Sequence, residues 1–171
     1  ILPPTSDSAR LSKGPAYGSV SGGKIDAPYA TDWRSYMAND ERSGSTDAKL
    51  PTSLKESWRI RDDQRQPAWS GDDWKMNPRS FGLISVPTIS QGLVAVALPE
   101  SHRVAVYEAA TGKERWSFVS ESRVCLPPTF YGDLLLFGGG DGYVYCLKAK
   151  DGALIWRFQA AAASRRMGDF G

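Results

Sequence analysis

The chain has 171 residues, 41% of them hydrophobic, which is enough for one core. Its 21 basic and 19 acidic side chains are interspersed and leave a net charge of +2, so no dense basic stripe exists to bind nucleic acid. No apolar run approaches the roughly 20 residues of a membrane span, and two cysteines do not make a disulfide framework.

Residues 1–30 are rich in Ser, Gly and Pro and poor in large apolar side chains. That composition predicts a flexible linker or arm. Residues 31–82 differ. Asp32-Trp33-Arg34-Ser35-Tyr36 and the turn Arg42-Ser43-Gly44 lead to Leu54-Lys55-Glu56-Ser57-Trp58-Arg59-Ile60, expected to form an outer strand through Trp58. Residues 61–82 then form a long polar loop with Asp62-Asp63 and Asp72-Asp73. Loops of this length fold over a face or carry variable functional residues.

From residue 83 the chain repeats itself. Gly112 and Gly152, Trp116 and Trp156, and Phe118 and Phe158 each recur 40 positions apart. Upstream, Pro87-Thr88 and Pro128-Thr129 recur 41 apart, so the intervening hairpin gains or loses one residue. A period of this size marks a repeat architecture, in which each unit buries its apolar face against a neighbour. The units span residues 83–124 and 125–163.

The second unit shows the plan clearly. Pro127-Pro128-Thr129-Phe130-Tyr131 is a short extended segment. Leu134-Leu135-Leu136-Phe137 is a strand buried on both faces. Gly138-Gly139-Gly140-Asp141-Gly142 supplies the positive φ of a tight hairpin. Tyr143-Val144-Tyr145-Cys146-Leu147 is the partner strand. After a polar turn at 148–152, period 2 puts Leu154, Trp156 and Phe158 on one face of a last strand. Four strands in roughly 40 residues make one propeller blade. The first unit has the same plan, with a Pro99-Glu100-Ser101-His102 hairpin.

On these residues the sequence resembles the quinoprotein-type β-propellers, whose tryptophan-docking motif is Ala-x-Asp-x-x-Thr-Gly-Lys-x-x-Trp. The segment from Val106 to Trp116 matches with Val for Ala and Glu for Asp; that from Cys146 to Trp156 matches more loosely, with Lys148 and Asp151 at the Asp and Thr positions. The resemblance implies an all-β fold: about two four-stranded antiparallel blades of an eight-bladed type, with an irregular N-terminal arm. It implies structural docking roles for Thr111, Gly112, Lys113, Trp116, Gly152 and Trp156, each Trp packing between neighbouring blades. Residues 32–59 are similar to the segment that opens such propellers, and 164–171 to the start of a connection to a following blade. The chain begins at Ile1 and stops inside that connection, so an excerpt of a longer protein is expected. The remaining blades are then its first partners and another protein its second.

The chemistry-bearing residues have plain structural readings. His102 sits alone at a hairpin tip, without a nucleophile motif or a zinc set. Asp62, Asp63, Asp72 and Asp73 could offer oxygens to Ca²⁺, but their spacing matches no ordered ligand loop. The Gly138–142 run lacks the Lys-Ser/Thr of a phosphate loop. Arg165-Arg166 reads as a surface pair. Cys146 reads as core packing; a bridge to Cys125 is the alternative. Trp116 and Trp156 could stack on a flat quinone, but their period argues for one packing job per blade.

No catalytic, cofactor-binding or metal residue emerges. Two functions follow from the resemblance: a non-catalytic binding or scaffolding propeller of an exported, periplasmic protein, or part of a dehydrogenase that uses pyrroloquinoline quinone and Ca²⁺ to oxidise alcohols or sugars.

Overall fold

The computed structural model describes residues 7–20, 32–60 and 84–161. A single helical turn, α1 (Asp7–Arg10), precedes nine strands: β1 (Leu11–Lys13), β2 (Thr88–Ser90), β3 (Leu93–Leu98), β4 (Arg103–Glu108), β5 (Glu114–Val119), β6 (Thr129–Tyr131), β7 (Leu134–Gly138), β8 (Tyr143–Lys148) and β9 (Leu154–Gln159). Strands β2 to β5 form one antiparallel sheet in chain order, and β6 to β9 form another. These are the two blades, four strands each, as the repeat predicts. The second sheet carries a fifth strand: β1 pairs antiparallel with β9, Leu11 opposite Phe158 and Lys13 opposite Trp156.

The turns follow from local chemistry. Pro99–Ser101 is a 3-10 turn that ends on His102 in the left-handed region (φ 53°). The glycine hairpin closes through Gly139 N–H to the Tyr143 carbonyl (2.9 Å), with Gly142 at φ 83°. Asp141 Oδ1 accepts the Tyr143 amide at 3.0 Å, so the aspartate braces its own turn.

Alternate residues of each blade face opposite sides of its sheet, which stacks the cores in layers. Ala95, Ala97, Val104 and Val106 of blade 1 meet Phe130, Leu135, Phe137, Tyr145 and Leu147 of blade 2. Phe118 tilts onto Phe137 (ring centroids 6.0 Å) and Tyr145 (5.7 Å), an arrangement aromatic quadrupoles favour. The other face of blade 1, with Val96, Leu98, Ala105 and Tyr107, takes Ile60 from the opening segment. The other face of blade 2, with Cys146 and Ile155, takes Ala16 and Val20 from the arm.

Residues 33 and 34 tie the two blades together along their first strands. Trp33 exchanges backbone hydrogen bonds with Ile89 of β2 (2.9 and 2.7 Å), and Phe130 N–H of β6 donates to the Arg34 carbonyl (2.8 Å). Ser90 Oγ donates to Asp32 Oδ2 at 2.8 Å.

Three details differ from the sequence reading. Strand β7 is buried on one face only: Leu135 and Phe137 are covered, whereas Leu134 and Leu136 are half-buried because only the arm lies over them. A register shift sets Leu147 opposite Leu154 but Cys146 opposite Trp156. Leu154 therefore packs with the layer between the blades, and Trp156 with the opposite layer. Blade 1 shifts at the same place, between Val106 and Tyr107. Period-2 counting cannot see the extra residue of a bulge. Finally, Trp58 lies in a stretch that carries no strand.

Candidate interface at the tryptophan turns

The closing turn of blade 1 begins at Glu108. Its amide donates to the Lys113 carbonyl (2.9 Å), and Gly112 N–H returns to the Glu108 carbonyl (2.8 Å). Gly112 holds φ 69°, a conformation costly for a residue with a Cβ. Thr111 braces the turn twice: Oγ1 donates to Glu108 Oε2 (3.0 Å) and accepts the Lys113 amide (3.2 Å). The closing turn of blade 2 has the same frame. Lys148 N–H donates to the Ala153 carbonyl and Gly152 N–H to the Lys148 carbonyl, both at 2.9 Å, with Gly152 at φ 74°. Asp151 takes the place of Thr111, its Oδ1 accepting the Ala153 amide at 3.0 Å.

Each turn receives a tryptophan from the segment before it. Trp116 Nε1–H donates to the Ala149 carbonyl at 2.9 Å. Its ring lies flush on Gly152, where a Cβ would stand 2.6 Å from Cδ2. Trp58 does the same one blade earlier: Nε1–H donates to the Ala109 carbonyl at 2.8 Å, and a Cβ on Gly112 would stand 2.6 Å from its Cδ2. Sequence reasoning missed this contact, because Trp58 and Trp116 are separated by the long loop and do not share the 40-residue period. The available signal was local: Trp58-Arg59-Ile60 reads like Trp156-Arg157-Phe158.

The six predicted docking residues therefore separate. Gly112, Gly152 and Trp116 lie in the contacts, and Thr111 braces one turn. Lys113 contributes through its backbone. Trp156 packs in one layer with Ala16 and Val20 of the arm.

The other end of the blades carries two ion pairs. Arg123 Nη2 stands 3.5 Å from Glu100, both largely shielded, and Arg157 Nη1 reaches Glu121 Oε1 at 2.6 Å. Ser120 N–H donates to the His102 carbonyl (2.8 Å) and Gly140 N–H to the Arg123 carbonyl (2.8 Å). The linker at 120–123 is thus stitched to the hairpins of both blades. Tyr145 Oη donates to the buried Asp141 carboxylate at 2.5 Å, and Phe137 stacks on its ring (5.1 Å). Burial raises the Tyr145 phenol well above its usual value, and the Asp141 carboxylate raises it further. Glu121 holds the Arg157 guanidinium above its usual value. Burial alone pushes the Cys146 thiol up to about 11.

No disulfide joins Cys125 to Cys146, so that alternative does not form. His102 is half-buried at the hairpin tip. Asp62, Asp63, Asp72, Asp73, Arg165 and Arg166 lie outside the described residues. Among the described residues no three His, Cys, Asp or Glu side chains gather as a metal site would require. No helix among them is long and apolar enough to cross a membrane.

No curated protein matches the chain. Among solved structures it is similar to BamB from Moraxella catarrhalis: 20% identity, 44% of this chain and 23% of that one covered, TM-score 0.39. It is also similar to a europium-containing methanol dehydrogenase (19% identity, 42% and 14% covered, TM-score 0.39). A third is the quinohemoprotein alcohol dehydrogenase ADHIIG from Pseudomonas putida HK5 (23% identity, 42% and 12% covered, TM-score 0.37). The matched part spans less than a quarter of each of these proteins. A family profile described as outer membrane protein assembly factor BamB matches residues 38–168. The chain is a β-propeller repeat protein of the pyrroloquinoline quinone-like type and belongs to the BamB family.

Proposed function

We propose that this chain is part of a non-catalytic scaffolding propeller of an exported, periplasmic protein, one that holds a protein partner in outer membrane protein assembly. One observation carries the reading. Trp58 and Trp116 each lay a ring on a glycine and give the indole N–H to a backbone carbonyl. A ring face committed in this way is not free to stack on a flat cofactor. Trp116 and Gly152 are docking residues that fix one blade against the next, Trp58 and Gly112 fix the opening segment against blade 1, and Thr111 and Asp151 set the turns that receive them. Membership of the BamB family supports the assembly context. The partner surface is the hairpin end, with its ion pairs Arg123–Glu100 and Arg157–Glu121.

The test is a calorimetric titration of the full-length protein with pyrroloquinoline quinone and Ca²⁺, followed by dye-linked alcohol oxidation. The scaffold reading expects neither binding nor turnover. Stoichiometric quinone uptake would replace it with the dehydrogenase reading.

A further inference from the structure

The two blades meet at their first strands. β2 touches β6, while β5 and β9 lie on the far side of each sheet. Blades that radiate from a central channel converge in this way. The free edges of β2 and β6 therefore face the ring centre.

One segment covers both edges. Trp33 N–H donates to the Ile89 carbonyl (2.9 Å), Ile89 N–H to the Trp33 carbonyl (2.7 Å) and Phe130 N–H to the Arg34 carbonyl (2.8 Å). Ser90 Oγ adds a bond to Asp32 Oδ2 (2.8 Å). Two neighbouring residues thus take up edge groups of two blades. Behind this crossing, residues 35–44 are tied together. Ala38 N–H donates to the Ser35 carbonyl (3.1 Å), Arg42 N–H to the Asn39 carbonyl (3.0 Å) and Gly44 N–H to the Met37 carbonyl (3.0 Å). Asn39 Nδ2 donates to Ser43 Oγ (2.8 Å), and its Oδ1 accepts the Ser43 amide (3.1 Å). Arg34 pairs with Asp40 at 2.9 Å and links the turns to the crossing.

The segment is strained where it turns. Met37 (φ 59°), Ala38 (φ 78°) and Arg42 (φ 53°) are three of the five non-glycine residues with positive φ among the described residues. The other two, Gln91 and His102, sit in blade hairpins, where such angles are usual. Met37 stands third in a four-residue turn, a position that takes Gly when φ is positive. Next to the crossing, Ser35 Oγ and Thr88 Oγ1 are buried with no hydrogen-bond partner among the described residues. Backbone strain of this kind clusters at switch regions, and unpaired buried hydroxyls favour a form in which water reaches them.

We propose that residues 32–44 are a gate on the ring centre. They form one cooperative unit that closes over the inner edges of both blades and opens, crossing and turns together, while the blades stay folded. The crossing at 32–34 holds the gate shut, and the turns at 35–44 store strain that opening releases. Opening turns the Ile89 and Phe130 edge groups towards the ring centre.

The test is native-state amide exchange of the full-length protein, resolved by residue. The Ile89 and Phe130 amides, 41 positions apart on different blades, should share one opening constant. They should exchange at least about a hundredfold faster than the β3 and β7 amides. Gly44→Ala adds strain at φ 64° without a clash, since the new Cβ meets only Met37 Cε at 3.5 Å. It should raise the shared opening constant about fivefold. Arg42→Gly, at an exposed side chain, relieves strain and should lower it about threefold; it carries the test if Gly44→Ala does not fold. The β3 and β7 amides should not change in either variant. Three results overturn the proposal: Ile89 and Phe130 opening with different constants, both exchanging only when β3 and β7 do, or Arg42→Gly leaving both rates as in the parent.

Discussion

Blade 1 and blade 2 share one plan and differ in how their faces are covered. Blade 1 is enclosed: the opening segment lies on one side with Ile60 and Trp58, and blade 2 on the other. Its strand β3 is buried along nearly its whole length. Among the described residues blade 2 meets another blade on one side only, and on its other side Leu134, Leu136 and Trp156 are half-buried beside Ala16 and Val20 of the arm. The comparison teaches that a blade's core is a property of pairs. Identical strand patterns give a full layer only where a second blade supplies the other half.

The largest effect expected from breaking this pairing is at Gly152. Gly152→Val adds a Cβ at φ 74° and drives it into the Trp116 ring. It should cost about 3–4 kcal/mol, measured as a fall in the urea midpoint. Trp116→Ala should cost about 3 kcal/mol, more than Trp58→Ala at about 1–2 kcal/mol. The difference arises because Trp116 joins two complete blades, whereas Trp58 anchors a segment without a strand. Equal costs would show that the two contacts are interchangeable.

Tyr145 is the next test, because its equivalent in blade 1 is Ala105 and the Asp141 contact is therefore peculiar to blade 2. Tyr145→Phe keeps the stack on Phe137 but leaves the buried Asp141 carboxylate without its phenol donor. A loss of about 1–2 kcal/mol is expected.

Cys146, under the arm, gives a pH signature. Its folded value of about 11 lies above the ordinary thiol value of 9.0, so the folded state holds a proton that the unfolded chain gives up first. Its contribution is fully present below about pH 9 and is lost as pH rises towards 11, on the order of 1 kcal/mol. Tyr145, also raised, acts in the same direction at higher pH. A Cys146→Ala chain should show a flatter fall in melting temperature over that window. The smallest effect is expected at Thr111, where Thr111→Ala removes an exposed brace and should cost about 0.5 kcal/mol.

Much of this fold is legible in the residues. The strands from Leu93 to Val119 and from Leu134 to Gln159 follow from apolar runs, turn glycines and the 40-residue period. The arm strand does not: Leu11-Ser12-Lys13 carries no strand signal of its own, and its state is set by pairing with Trp156, Arg157 and Phe158, more than 140 positions away. The bulge beside Cys146 is equally invisible, since it inserts a residue without changing composition. Of the candidate interface, Gly112, Gly152 and Trp116 were legible through their period. Trp58 was not, because the polar loop at 61–82 stretches its spacing to the next tryptophan.

The central claim is that Trp116 couples the blades through the turn at Gly152. Hydrogen exchange of the indole N–H protons tests it directly. The account predicts that the Trp116 proton, held on the Ala149 carbonyl, exchanges only with cooperative unfolding of the two blades. The Trp156 proton, with no acceptor among the described residues, should exchange much faster. A Trp116 proton that exchanges as fast as that of Trp156 would contradict the account.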